Sequence, residues 1–238
     1  MLPEAIQQLS REGALRALVR RQKLMGIGAW SSIVFPFLRR VHGLGHLDPA
    51  RRFLMVSNHV SLLDTILLGG LCWRHKSLPI LVLGDRNVWQ ASWVRRALSG
   101  PIGFLLERGK LNPSRIRELQ AFARAGAHCN LVVFPEGTRG DGLDVGPLQP
   151  GIYYIAREAK VPILPIFIQN MQRVSTKSGR FHPVAGLRRV EVHIGEPVPP
   201  KDYLGLERDA FTEFLRDRIR ALRPRPQEVH STHARPPG

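Results

Sequence analysis

A histidine and an aspartate stand just beyond a short apolar run, in Val56-Ser57-Asn58-His59-Val60-Ser61-Leu62-Leu63-Asp64, with four residues separating His59 from Asp64. A carboxylate that accepts one imidazole N–H fixes the ring's tautomer and stabilises the imidazolium, leaving the other nitrogen to take a proton. His59 is therefore a candidate general base and Asp64 the group that orients it. Asn58 either positions the His59 turn or donates to a developing oxyanion. A plainer reading stands beside this one, with Ser61 as a helix N-cap and Asp64 as a first-turn acid that suits the helix dipole. Two residues alone do not decide between them.

A second apolar run, Leu131-Val132-Val133-Phe134, ends at Pro135-Glu136-Gly137-Thr138-Arg139. Pro135 cannot donate in a central ladder, so the strand should stop near it. Gly137 permits a close or positive-φ backbone, Thr138 offers a hydroxyl, and Arg139 carries a planar fork that matches phosphate. In isolation such a turn is usually an exposed loop with an incidental ion pair.

With both turns in one chain, the sequence resembles the glycerolipid acyltransferases, the PlsC-like family typified by bacterial lysophosphatidic acid acyltransferase. Asn58-His59 with Asp64, and Phe134 to Arg139, carry the resemblance. Gly100 to Arg108 is similar to the family's second block, which ends in an acid–arginine pair, and Val161 to Ile166 to its fourth. Glu107 stands where the family often has Asp, and Gln149 where relatives commonly carry a basic residue before the glycine.

The resemblance implies transfer of a fatty acyl group from an acyl thioester, acyl-CoA or acyl carrier protein, to the free hydroxyl of 1-acyl-glycerol 3-phosphate, giving phosphatidic acid. His59 and Asp64 would be catalytic. Glu136, Gly137, Thr138 and Arg139 would bind the glycerol phosphate, with Arg108 as a second phosphate contact and Asn58 beside them. Another lysolipid acceptor, such as lyso-ornithine lipid or a lysophospholipid, keeps the mechanism, and Gln149 gives it weight. A non-catalytic basic peripheral membrane protein is the reading from a different class, but such a protein has no need of the His59/Asp64 and Glu136-to-Arg139 constellation. Ser61 is a poor nucleophile candidate because no G-x-S-x-G elbow surrounds it.

The elements that must hold these turns follow from the apolar pattern. Residues 52–57 form a short run expected of a strand buried on both faces, and Leu62 to Leu68 recur at helical spacing up to a stop at Gly69-Gly70. Strands are expected over 78–83, 102–106, 131–134, 163–168 and 189–194. Helices are expected over 88–98, from Asn112-Pro113 to 125, over 152–159, and on the Phe211, Phe214, Leu215, Ile219, Leu222 face. The alternation implies an α/β fold with a mostly parallel central sheet flanked by helices, whose ligands bind beyond the carboxyl ends of the strands.

Residues 46–223 are expected to form the acyltransferase domain and 224–238 a disordered, proline-rich tail. Residues 1–45 are expected to be amphipathic, monotopic membrane-associating helices. Leu24 to Leu38 is uncharged and bracketed by Arg20, Arg21 and Lys23 before it and Arg39 and Arg40 after it. As a helix it would reach about 22 Å against a hydrocarbon core of roughly 30 Å. Trp30, Ile33, Val34, Phe35 and Phe37 would instead enter the interface while the arginines meet headgroups; a buried core hairpin is the competing reading.

With 35 basic against 19 acidic residues, a net charge of +16 calls for an anionic partner. No nucleic-acid motif and no aromatic-rich basic sheet signature is present, which ranks an anionic membrane surface and a phosphorylated substrate above nucleic acid. Cys72 and Cys129 have neither metal nor disulfide spacing, and the nine histidines show no zinc pattern, so no cofactor and no metal is expected. The expected location is the cytoplasmic face of a membrane, that of a bacterial inner membrane.

Overall fold

The computed structural model describes residues 12–24, 27–93, 96, 102–106, 109, 111–176 and 180–224. Helix α1 (Glu12–Leu24) and helix α2 (Ile27–Val34) precede the edge strand β1 (Leu38–His42). Strand β2 (Leu54–Ser57), helix α3 (Leu62–Arg74), strand β3 (Ile80–Asp85), the short helix α4 (Arg86–Gln90) and strand β4 (Gly103–Leu106) follow. Next come α5 (Pro113–Arg124), β5 (Asn130–Val133), α6 (Gly151–Ala159) and β6 (Ile163–Gln169). The short α7 (Pro183–Gly186), β7 (Val190–Ile194), the short α8 (Pro200–Tyr203) and α9 (Arg208–Arg220) complete the order.

The seven strands form one sheet in the order β1-β7-β6-β2-β5-β3-β4, parallel throughout except where β6 meets β7. The expected mostly parallel α/β architecture is what the chain adopts. Apolar residues alternate between two cores, one on each face of the sheet. Leu54, Val56, Leu131, Val133, Ile163 and Phe167 face the layer that contains Leu119, Ile155 and Leu215 of α5, α6 and α9. Met55, Val132, Leu164, Ile166 and Ile168 face the layer of α2 and α3. With both faces covered, Leu54 to Val56, Leu131 to Val133 and most of β6 are continuously apolar, as expected of central parallel strands.

Local signals mark several element ends. Asn112 caps α5 by accepting a hydrogen bond from the Arg115 N–H at 2.9 Å, with Pro113 in the first turn. Asn130 ties three segments together: its Oδ1 accepts from the Phe53 N–H (2.8 Å) and its amide donates to the Ser77 carbonyl (2.6 Å). Cys72 and Cys129 are buried, and burial pushes both thiols up to about 12.

The structure departs from the pattern-based expectation in four places. Helix α3 does not stop at Gly69-Gly70 but runs to Arg74. Gly70 is where α2 crosses, since a Cβ there would lie 2.1 Å from Ser31 Oγ and 2.5 Å from Ser31 Cβ. The glycine permits close helix contact instead of ending the helix. The helix expected over 88–98 is interrupted: α4 ends at Gln90 with Trp89 buried, Ala91 and Ser92 bend, and the helix resumes at Trp93, which is 74% exposed, with the Arg96 N–H donating to the Ser92 carbonyl (3.0 Å). Val94 lies outside the described residues.

Third, β1 had no strand signature, because two consecutive arginines and a register shift between Leu38 and Arg40 break the alternation at this sheet edge. The sheet therefore begins at Leu38, ahead of the boundary expected at residue 46. Fourth, part of the N-terminal apolar stretch is protein core. Val34 and Phe37 are buried in the α2/α3 layer, and Leu18 in the opposite one. The Gln22 amide donates to the Ile80 carbonyl (2.7 Å) and accepts from the Ile80 N–H (3.2 Å), pinning α1 to the start of β3. Ile33 and Leu24 remain exposed, and the side chain of Trp30 lies outside the described residues. Among the described residues no helix is long and apolar enough to cross a membrane. The expected tail lies outside the described residues from 225 onward.

Gly70→Ala gains helix propensity of about 1 kcal/mol but drives a methyl group into Ser31. We expect a net destabilisation of roughly 1–2 kcal/mol, read as a lower urea midpoint with an unchanged slope.

Candidate active site

Strands β2 and β5 are neighbours and parallel, with Val56 opposite Val133. Their C-terminal turns therefore emerge side by side, about 4.8 Å apart at the strand ends. One carries His59 and the other Glu136, and this adjacency is what no local pattern states.

The first turn is a cap with a second use. The Leu63 N–H donates to Ser61 Oγ (3.2 Å), and Asp64 Oδ2 accepts from the Ser61 N–H (2.8 Å) and the Val60 N–H (2.7 Å). The same Oδ2 lies 2.9 Å from His59 Nδ1. The capping box and the orientation of the imidazole are thus one structure, and the two readings of Asp64 hold together. Asp64 is fully buried, and its Oδ1 has no hydrogen-bond partner among the described residues. The His59 side chain is 16% exposed. With Nδ1 facing the carboxylate, Nε2 is the nitrogen left for a proton.

Asn58 faces inward. Its amide donates to the Ile168 carbonyl (2.9 Å) and its Oδ1 accepts from the Ile168 N–H (2.7 Å), locking the β2 turn to the end of β6. These bonds favour the positioning alternative over donation to an oxyanion.

Glu136 is a cross-brace between loops. Its Oε1 accepts from the His59 N–H (3.0 Å) and its Oε2 from the Gly146 N–H (3.0 Å). Burial raises the pKa of this carboxyl group above its usual value, against the lowering effect of the two N–H donors and of His59. Gly137 adopts φ +66°, the left-handed conformation foreseen from its residue type, and the Gln149 side chain packs against it. Thr138 is exposed, and Arg139 is half-buried without a hydrogen bond or ion pair among the described residues. Arg108, expected as a second phosphate contact, lies outside the described residues.

Four neighbours were not assigned a role by sequence reasoning. The Phe134 ring stacks on His59 with centroids 4.2 Å apart and planes at 25°. The Gly140 N–H donates to the His59 carbonyl (2.7 Å), closing the second turn onto the first. A Cβ on Gly146 would lie 2.9 Å from Glu136 Oε2, and one on Gly142 would lie 2.6 Å from Gln172 Oε1. The signal that could have found them is the glycine spacing at 140, 142 and 146, which marks a loop whose backbone must approach others closely.

Among the described residues one ligand-type cluster occurs, between strands β1 and β7 at the sheet edge. His42, Glu191 and His193 offer ligand atoms within 4.8 Å of one another. Glu191 already has a partner on each oxygen, Arg39 at 3.1 Å and His42 at 3.0 Å, and the two imidazoles stack. The cluster is thus satisfied as an edge-strand ion pair between β1 and β7.

An imidazole held by a buried carboxylate, at the strand ends of an α/β sheet and braced against a glycine-bearing turn, is an arrangement suited to moving a proton. Residues 38–169, more than half of the chain, match the Acyltransferase family, and the chain belongs to it. It is similar to bovine 1-acyl-sn-glycerol-3-phosphate acyltransferase alpha, with 30% identity over 184 residues, 76% of this chain and 59% of that protein. The Saccharomyces cerevisiae 1-acyl-sn-glycerol-3-phosphate acyltransferase is 30% identical over 183 residues, 70% of this chain and 54% of that protein. The chain thus spans less than two thirds of the length of these relatives. The crystal structure of the 1-acyl-sn-glycerophosphate (LPA) acyltransferase PlsC from Thermotoga maritima shares its fold, with a TM-score of 0.62, 24% identity, and coverage of 89% of this chain and 81% of that one.

Glu136→Gln keeps one acceptor oxygen for two N–H donors. The unpaired donor should cost roughly 1–3 kcal/mol of stability. Because the Gly146 and His59 loops are no longer tied to one group, amide exchange should quicken at both positions, and unchanged protection there would show that Glu136 does not hold them.

Proposed function

We propose that this protein transfers a fatty acyl group from an acyl thioester to the free hydroxyl of 1-acyl-glycerol 3-phosphate, producing phosphatidic acid. The observation that carries this reading is the 2.9 Å contact of His59 Nδ1 with Asp64, on a turn tied through Glu136 to the Gly137-Thr138-Arg139 segment. The names of the relatives support the acceptor.

A thioester is already activated, so the chain must deprotonate an alcohol and align it. His59 Nε2 takes the hydroxyl proton as the alcohol oxygen bonds to the thioester carbonyl carbon. Asp64 stabilises the resulting imidazolium. Collapse of the tetrahedral adduct breaks the carbon–sulfur bond, and the imidazolium returns its proton to the departing thiolate. No acyl-enzyme is needed, and Ser61 has a full role as a cap. Arg139, which has no partner among the described residues, is available to a phosphate. Thr138 accompanies it, with the turn shaped by Gly137, and Arg108 is proposed as a second phosphate contact.

A second reading changes only the acceptor. Gln149, a neutral amide, packs on Gly137 where relatives commonly carry a basic residue. Lower positive charge at that point favours a lysolipid with a less anionic headgroup, such as lyso-ornithine lipid or a lysophospholipid. Acyl-CoA and acyl carrier protein are both proposed donors, and the cytoplasmic face of a membrane is the proposed location. No cofactor or metal is required by the chemistry, and no nucleic-acid partner is proposed.

His59→Ala should lower kcat for transfer to lysophosphatidic acid by ~10²–10⁴-fold, measured with labelled acyl-CoA and acyl carrier protein against a panel of lysolipids. Equal activity would sink the mechanism. Arg139→Ala should chiefly raise KM for phosphate-bearing acceptors, by about tenfold or more for the loss of a charge-assisted contact. If the KM for a lysolipid lacking a terminal phosphate rises equally, Arg139 is not the phosphate contact.

A further inference from the structure

The chain between β6 and β7 lies at the edge of the sheet that carries His59. Strand β6 runs parallel to β2 and ends at that edge, and β7 returns antiparallel from it, with Gln169 opposite Glu191. Strand β1 is parallel to β7, so Pro36 and Phe37, which lead into β1, sit there too. Over residues 170–189 the sequence holds Arg173, Lys177, Arg180, Arg188 and Arg189 and no aspartate or glutamate.

Part of this segment is a braced projection. The His182 N–H donates to the Val174 carbonyl (2.7 Å), the Thr176 N–H to the Arg180 carbonyl (3.0 Å), and the Arg188 N–H to the Pro36 carbonyl (3.1 Å). Gly186 is packed so closely on Val174 that a Cβ would lie 2.6 Å from its Cγ2. The Phe181 ring meets Phe37 edge to face at 5.8 Å. On this base Val184 is 88% exposed, Leu187 53% and Phe181 51%. Single exposed apolar residues are ordinary, but three within seven positions on a pinned backbone, ringed by arginines, form a surface suited to an amphipathic partner.

We propose that residues 180–189 form a membrane-docking projection. Val184 and Leu187 enter the headgroup–acyl boundary of an anionic bilayer, while Arg180, Arg188 and Arg189 meet lipid phosphates. Charge complementarity selects this occupant, since an acid-free basic rim attracts an anionic surface and opposes a second copy of itself. The projection takes over part of the docking role expected of Val34 and Phe37, which are buried. It also sets the His59 edge toward the bilayer, from which a lysolipid hydroxyl must come. In that purpose the inference rests on the acyl-transfer reading, but binding is measurable without turnover.

The test uses the full chain and its Val184→Asp/Leu187→Asp and Arg180→Gln/Arg189→Gln variants, with unfolding checked for each. Flotation with phosphatidylcholine vesicles, with and without phosphatidylglycerol, reads binding. The unsubstituted chain should bind the anionic vesicles, and either variant should bind at least about tenfold more weakly. Transfer to a vesicle-borne lysolipid should fall in proportion, while transfer to a dissolved short-chain lysophosphatidic acid stays unchanged. Unchanged vesicle binding by both variants overturns the proposal, as does loss of binding only with Leu24→Asp/Ile33→Asp, which places docking on the N-terminal helices. A dimer lost in Val184→Asp/Leu187→Asp with vesicle binding intact assigns the face to a second copy and likewise overturns it. Absence of transfer to either acceptor by the unsubstituted chain counts against acyl transfer and leaves the binding result standing.

Discussion

The parallel pairing of β2 with β5, in the register that sets Val56 against Val133, is the constraint from which the site follows. Parallel neighbours must end at the same edge, so whatever follows them is forced together. Residues 77 positions apart in the chain, His59 and Glu136, thereby come within hydrogen-bond distance. The pairing holds because each strand is apolar on both faces and each face has its own helical layer. A polar substitution in either strand would therefore act on the site through the sheet, without touching a reacting group.

Around that edge the chain uses side chains to join turns to one another. Asp64 ties His59 to the N-terminus of α3, Glu136 ties the His59 backbone to the loop at Gly146, and Asn58 ties the same turn to β6. All three are buried, so each bond is shielded from competing water, and loss of one leaves polar atoms without partners. The proposed base is thus fixed by groups that need not meet substrate. Arg139 and Thr138, proposed to meet it, stand outside this network. That division suits a site whose geometry must be rigid at the reacting atom and accessible at the headgroup.

The N-terminal segment shows how one composition can serve two environments. Uncharged residues bracketed by arginines are compatible with an interface anchor and with a core hairpin, because both bury apolar surface and leave cations in water. Here α2 crosses α3 at Gly70, and Val34 and Phe37 close the layer beneath it. Among the described residues of this segment Leu24 and Ile33 stay exposed, and the basic segment after β6 is the proposed docking surface.

The sequence by itself determined the alternation of strands and helices, the parallel sheet and the two polar turns. These depend on short-range periodicity and on residues such as Pro135 and Gly137 whose backbone preferences are local. It also marked His59 and Asp64, since the cap that joins them spans a single helical turn. Strand β1 was illegible because an edge strand with a register shift needs no alternation, and Gly70 was misread because a glycine in contact with another helix looks like a glycine that ends one. The roles of Glu136, Gly140 and Gly146 and the inward set of Asn58 were decided only by tertiary structure. Their partners lie across the sheet, and hydrogen bonds between segments distant in sequence leave no periodic trace in either one.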